Sequence, residues 1–249
     1  MVMFVSISYV SSLFAHYFVS VEEDNEHSQL SNSLMSILTG GFFVLLAFII
    51  INTWNYLQDA NNAASKEADY LALIVRNSTV FPEGAQKEIQ SAVLEYTLAV
   101  RIKEWALMRD GKESPEAWSA LDKLFVTIQH FQPKTKQEGF YYNSMINNLN
   151  GVLSSRRIRL NKIVSIIPPV LTYSIFWGSI FLAVLLGLIR GTDRVLNMTP
   201  ILLFSGLFGF NLALALSFDY PYSGEITVSN KTFYSGALGA FSDPPKLNP

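Results

Sequence analysis

Read as a pattern of apolar and polar positions, the chain alternates between long apolar stretches and polar helical ones. Three stretches carry no Asp, Glu, Lys or Arg: between Glu26 and Asp59, between Lys162 and Arg190, and between Arg194 and Asp219. Each is longer than the ~20 apolar residues that a helix needs to cross a hydrocarbon layer of ~30 Å. Their cores run over 34–56 (LMSILTGGFFVLLAFIIINTWNY), 166–189 and 199–218. A helix on a soluble core shows one apolar stripe and one polar face. These stretches are apolar all round, which predicts membrane spans. A fourth charge-free stretch, 2–20, lies ahead of Glu22. A signal peptide opens with a cation and closes on small residues. This stretch has no early cation and runs into Glu22, Glu23, Asp24 and Glu26. It therefore reads as a short first span, with His16 and its serines packed or interfacial.

The polar part between the second and third spans is helical too. From Trp54 to Val75 there is no Pro or Gly, and Ala60, Ala64, Glu67, Leu71 and Ile74 recur at three- and four-residue spacing. The second span should therefore continue as one helix beyond its apolar stretch. Asn77-Ser78-Thr79 ends it, and Pro82 opens the next helix with Glu83 in its first turn. That helix carries Ile89, Val93, Tyr96 and Val100 on one face and stops at Gly111, a residue suited to a C-terminal cap. Ser114-Pro115-Glu116 starts another, ending before Pro133, and a last one runs from Glu138 to Lys162 with Tyr141, Met145, Leu149 and Val152 aligned. Pro168-Pro169 forces a bend or a restart at the third span, either a plain joint or a gating hinge. No alternating strand pattern of useful length occurs, so the expected fold is all-α. It divides into the first two spans (1–57), a helical domain (58–162), the last two spans (163–218) and a tail (219–249).

Charge sets the orientation. Of the 18 Lys and Arg, 14 fall between the second and third spans, and Arg156, Arg157, Arg159 and Lys162 sit directly before the third. The positive-inside rule places this domain in the cytoplasm, and with four spans both termini join it. The expected location is the cell (inner) membrane, crossed several times. Composition agrees: 50% of residues are apolar and 15% charged, well below the roughly one quarter charged in average soluble domains. A net charge of -2 gives no basic excess for nucleic acid. Zero cysteines exclude disulfides, thiol nucleophiles and Cys-held metals.

Catalytic patterns are thin. His16, His27 and His130 are isolated, and no phosphate-loop, dinucleotide or nucleophile-elbow motif occurs. Carboxylates and cations interleave at helical spacing, as with Arg101 and Lys103 near Glu104, which reads as a solvated or salt-bridged face. The expectation is no enzyme, no cofactor and no metal. The second to fourth spans hold only uncharged polar groups, among them Asn52 and Asn211. That disfavours a pump or proton-coupled carrier. A passive pore stays open, since apolar constrictions and uncharged rings can conduct. Gly40-Gly41 followed by Phe42, Phe43, Val44 and Phe48 suits either such a constriction or ordinary close helix packing. The cations before the third span suit either attraction of anions to a vestibule or anchoring to anionic headgroups.

Several short motifs resemble those of the bestrophin-like membrane proteins. They are Phe48…Trp54-Asn-Tyr56…Ala60…Glu67-Ala68 leaving the second span, Tyr96…Glu104-Trp105-Ala-Leu-Met108, Arg156-Arg157-Ile-Arg159-Leu160, and Asp219-Tyr-Pro221-Tyr222-Ser-Gly224. Four spans with a long helical insert after the second also resemble bestrophins. The resemblance implies a homo-oligomeric ion channel, a pentamer favoured, with chloride as the ion and membrane lipid as the surroundings. Its pore would be lined by the second span near Gly41, Val44, Phe48 and Asn52. The alternatives are a non-conducting membrane interaction or sensory protein and a small-solute carrier; the lack of internal repeats weakens the carrier. Two departures stand out. The run of acids that follows the last motif in animal bestrophins, where it joins a calcium clasp, is missing, since ITVSN follows Glu225. The arginine that bestrophins carry after the closing aromatic of the second span is replaced, with Ile49 following Phe48. Asp219, Pro221, Tyr222 and Gly224 are expected to form a structural latch, Asp219 capping or pairing, folded back onto the insert's helices.

Overall fold

A computed structural model describes residues 2–18, 25–188, 195–224 and 226–241. The acidic first loop from Glu22 to Asp24, the third loop with Arg190 and Arg194, and the end of the tail lie outside the described residues, as does the His16 side chain. Among the described residues eight α-helices follow in order: α1 Val2–Phe18, α2 Asn25–Ser78, α3 Glu83–Leu98, α4 Trp105–Met108, α5 Pro115–His130, α6 Lys136–Leu160, α7 Pro169–Leu188 and α8 Val195–Ser217. A π turn, Ala99–Glu104, joins α3 to α4, and two 3-10 turns, Asn230–Tyr234 and Gly236–Ala240, close the described chain. No strand occurs among the described residues.

The helix starts follow local chemistry. The Ser114 side chain caps α5 by accepting from the Ala117 amide, with Pro115 in the first turn. Thr135 and Glu138 form a reciprocal capping box, so α6 begins at Lys136 and Glu138 is its third residue rather than its first. Gly111, at φ 69°, takes the left-handed position just past α4. α7 restarts at Pro169, because two adjacent prolines offer no amides to a preceding turn.

The chain forms two compact units. The apolar unit comprises 1–55 and 165–219, and the polar unit 56–164 and 220–249. In the apolar unit Phe208 of α8 is the hub, its ring 5.9 Å from Phe4, 5.3 Å from Phe42 and 5.5 Å from Phe43. Leu46, Ile49, Ile175 and Leu182 complete this core. Small polar residues tie α1 to its neighbours: Ser8 Oγ donates to Ala183 O at 2.9 Å and lies 2.7 Å from Ser205 Oγ, while Ser11 Oγ donates to Val184 O at 2.8 Å. Among the described residues, by length and composition, one helix, over Ser33–Ser78, is long and apolar enough to cross a membrane. Val2–Phe14, Pro169–Leu185 and Leu202–Ser217 are shorter apolar helices within the described residues.

In the polar unit the end of α2 offers an alanine stripe, Ala60, Ala64 and Ala68, followed by Leu71 and Ile74, all buried. Small side chains let neighbouring backbones approach closely. Ile89, Val93 and Tyr96 of α3 and Met145, Leu149 and Val152 of α6 are buried in the same unit, and both helices reach α2 at Glu67, through Tyr96 and Arg159.

Candidate functional site

The expected pore residues share one face of α2. Val44 and Phe48, four residues apart, are 72% and 65% exposed, whereas Leu46 and Ile49 are buried in the apolar core. A Cβ added at Gly41 would meet nothing within 4 Å, so that position is open as well. Asn52 donates its side-chain amide to Phe48 O at 2.8 Å, one turn back on its own helix. That bond satisfies one of the amide's two N–H donors within the helix and lowers the cost of placing it among apolar neighbours. These residues make an open apolar face ending in an uncharged polar group.

The four cations before α7 separate into two kinds. Arg156 and Arg159, three residues apart on α6, are 0% exposed. That corrects the expectation that they attract anions or touch lipid: both are spent on internal ion pairs. Arg159 grips Glu67 with two parallel bonds, Nε to Oε2 at 2.7 Å and Nη2 to Oε1 at 2.9 Å, and reaches Glu104 Oε2 at 2.6 Å. Arg156 Nη2 donates to Glu104 Oε1 at 2.5 Å, and its guanidinium lies 3.9 Å over the Trp118 ring. Tyr96 OH donates to Glu67 Oε1 at 2.6 Å. Two cations and two anions make the cluster formally neutral, which lets it sit in a dry interior. Arg157, by contrast, is exposed. Lys162 pairs with Asp59 at 3.2 Å and lies 4.1 Å over Tyr56.

Of the two readings of the Arg101 and Glu104 face, solvated or salt-bridged, neither residue is solvated, since both are buried, and Glu104 is salt-bridged to Arg156 and Arg159. Burial raises the cost of ionising Glu104, but Arg159 and Arg156 outweigh it and hold its carboxyl below the usual carboxylate range. Desolvation works against the Arg159 charge too, and Glu67 and Glu104 overcome it, raising its pKa further. Burial, then the Glu67 charge, push the Tyr96 hydroxyl well above its ordinary value. The cluster was missed in the sequence although signals existed. Glu67 stands on an otherwise apolar helical face, and a three-residue spacing puts Arg156 and Arg159 on one side of α6 with Arg157 on another.

Asp219 works as a cap. Its Oδ1 accepts from the amides of Ile166 and Ile167, each at 3.0 Å, and its Oδ2 from Ser165 Oγ at 2.5 Å. Those amides precede Pro168-Pro169, where the chain leaves helical pairing and needs an outside acceptor. Within the polar unit, Tyr222 OH donates to Ala60 O at 3.3 Å and its ring meets Trp105 edge-on at 5.7 Å. Burial raises the Tyr222 pKa. Pro221 O accepts from Val228 N at 2.8 Å across the turn, and Gly224 takes φ 101°.

Among the described residues no group of three or more His, Cys, Asp or Glu could hold a metal ion. A cleft of about 370 Å³ lined by Glu88, His130, Phe131, Lys134 and Glu138 lies in the polar unit. Its acid Glu138 is engaged in the α6 capping box, and His130 Nδ1 lies 2.7 Å from Val126 O.

The family model for the bestrophin-like domain matches residues 2–233. Among solved structures, mutant forms of a bacterial bestrophin homologue from Klebsiella pneumoniae are similar in fold. One is 14% identical with a TM-score of 0.74, covering 96% of this chain and 95% of that one. Another is 13% identical with a TM-score of 0.75, covering 96% and 98%. A crystal structure described as a membrane protein is 12% identical with a TM-score of 0.72, covering 96% and 93%. At these identities the likeness is one of fold. No curated protein is significantly similar in sequence.

Proposed function

The chain belongs to the bestrophin-like family, and on that premise we propose that it is a homo-oligomeric ion channel, conducting anions such as chloride through an axial pathway lined by α2. In this reading the subunit crosses the cell membrane four times, with residues 58–162 and both termini in the cytoplasm. A pentamer is the favoured assembly. The exposed Arg157 draws anions toward the cytoplasmic mouth or meets lipid headgroups, and Asp219, Pro221, Tyr222 and Gly224 act as a latch.

The observation that carries the reading is the open face of α2. Val44 and Phe48 project from the subunit while Leu46 and Ile49, on other faces of the same helix, are buried. A closed ring of copies brings one such face to its own axis. There Gly41, Val44, Phe48 and Asn52 stack as successive rings. Narrow apolar rings exclude water, so conduction at rest is low.

The test is chloride flux through the Val44→Ala/Phe48→Ala protein in liposomes, against unmodified protein at equal oligomer content. Smaller side chains widen and wet the constriction, so flux should rise several-fold. A properly assembled double variant with no gain removes these residues as the gate and turns the reading toward a non-conducting membrane protein.

A further inference from the structure

The last described segment gathers its carbonyls around one side chain, Arg101. Residues 229–241 fold into the two 3-10 turns, joined at Ser235 and Gly236, the latter at φ 59°. Short 3-10 turns are weakly held by their own hydrogen bonds. Phe233 and Leu238 nevertheless are fully buried. What pins them is Arg101. Its Nε donates to Phe233 O at 3.0 Å, its Nη2 to Leu238 O at 2.9 Å and also to Phe233 O, and its Nη1 to Phe241 O at 2.9 Å. The same guanidinium lies 4.0 Å from the Tyr234 ring. Five donors in a rigid planar fork let one side chain gather three carbonyls, a task that an ammonium on a flexible stem performs poorly.

Arg101 lies within the π turn Ala99–Glu104, as does Glu104. A π turn carries an extra residue per turn and is frequent at functional positions. Here the wider turn lets Arg101 face the C-terminal segment while Glu104 faces Arg156 and Arg159. A second path joins the same parts: the Phe233 ring lies 5.8 Å from Trp105 and 6.0 Å from the Arg159 guanidinium. The segment and the buried charges therefore bear on one helical turn from two sides.

We propose that residues 229–241 form a releasable strap locked by Arg101, and that its docking sets the π turn and, through it, the pairing of Glu104 with Arg156 and Arg159. The strap is independent of whether the protein conducts. Opening it empties the Phe233 hollow and frees the π turn to relax.

Hydrogen exchange on the full chain in detergent tests this. In Arg101→Lys the charge remains but the fork is lost. Peptides over 229–241 should exchange faster by on the order of tenfold or more, as expected for lost bonds to a charged donor. Peptides over 99–108 should follow with a smaller rise, and 60–75 and 115–130 should stay protected. In Arg101→Ala, ethylguanidinium at millimolar concentration should restore strap protection, whereas ethylammonium should not. Unchanged exchange at 229–241 overturns the lock, and a strap that opens with 99–108 unaffected overturns the coupling. Equal loss over all helices in Arg101→Lys overturns the proposal by making Arg101 a general structural support. Failure of ethylguanidinium to restore a folded Arg101→Ala protein does the same. If Arg101→Ala does not fold, the lysine variant decides.

Discussion

In the apolar unit the interior is aromatic and aliphatic, arranged around Phe208; in the polar unit the interior carries Glu67, Glu104, Arg156 and Arg159. The two use different means of specifying one arrangement. Around Phe208, rings meeting edge-on and small serines bonded to carbonyls fix how α1, α7 and α8 touch. Around Arg159, direction comes from bidentate bonds, since a guanidinium and a carboxylate meet well in few geometries. Each strategy matches its composition. Formal charge is expensive among apolar helices, and Asp219 is the charged side chain buried in that unit among the described residues. In the polar unit a neutral cluster of four makes burial tolerable, at the risk that loss of one member strands the others.

That risk sets the largest expected effect. Arg159→Met leaves Glu67 and Glu104 buried with most of their partners gone, and should destabilise the polar unit by about 3–5 kcal/mol. Denaturation followed by hydrogen exchange over 60–75 and 99–108 measures it. Replacing all four charged residues with apolar ones of similar volume should be far milder, because no charge is then stranded. If the single change is harmless, the contrast between the two interiors loses its basis.

Asp219→Ala probes the one charge that the apolar unit buries among the described residues. It removes the acceptor of the Ile166 and Ile167 amides and of Ser165, and should cost about 1–3 kcal/mol for stranded donors. The thermal midpoint of the detergent-solubilised protein should fall. Asp219→Asn keeps one carbonyl acceptor and should lose less. A midpoint that does not move would mean that water satisfies these amides and that the cap is dispensable.

Packing in the apolar unit offers the matching steric test. Gly187 is buried, and a methyl group there would run into the Ser8 carbonyl and the Ser11 side chain. Backbone cannot yield as a flexible side chain does, so Gly187→Ala should cost about 1–3 kcal/mol by forcing α1 and α7 apart. Loss of protection in 2–18 with the polar unit unchanged is the expected pattern. Equal loss in both units would show that their stabilities are not separable.

How much of this could be read from residue order depends on range. Signals within a few residues were legible: Ser114-Pro115-Glu116 starts α5, Gly111 takes positive φ, and α7 restarts at Pro169. The unbroken pattern past Trp54 continues as one helix to Ser78. The α6 start lies two residues ahead of Glu138, because Glu138 is the third helical residue and closes a capping box with Thr135, a pairing that the apolar pattern does not display. The buried charges were not legible as a cluster. Glu67 and Arg159 are 92 positions apart, and nothing local says that they meet. The order of residues marks Arg101 only as part of a solvated or salt-bridged face, since the carbonyls it binds lie more than 130 positions away and carry no side-chain signature.

The smallest expected effect comes from Tyr96, and it distinguishes the cluster's charges from its neutral member. Tyr96→Phe removes the hydroxyl that donates to Glu67 Oε1, yet that oxygen keeps its bond from Arg159 Nη2 and the ring still fills its place. The loss at neutral pH should therefore be about 0.5–1.5 kcal/mol, that of one hydrogen bond with no charge stranded. The pH dependence separates the roles further. Tyr96 and Tyr222 have pKa values raised by burial, so the folded state holds their protons more tightly than the unfolded chain. Their contribution is complete below the ordinary tyrosine pKa of about 10 and is lost as pH rises through the folded values. Glu104 has the opposite sign: its lowered pKa gives stability above the ordinary carboxylate pKa that fades as pH falls through the folded value. Tyr96→Phe should accordingly flatten part of the alkaline loss and leave the acid limb unchanged. An acid limb that moves with Tyr96→Phe would mean that the hydroxyl sets the ionisation of the carboxylates, and that the neutral member governs the charged ones.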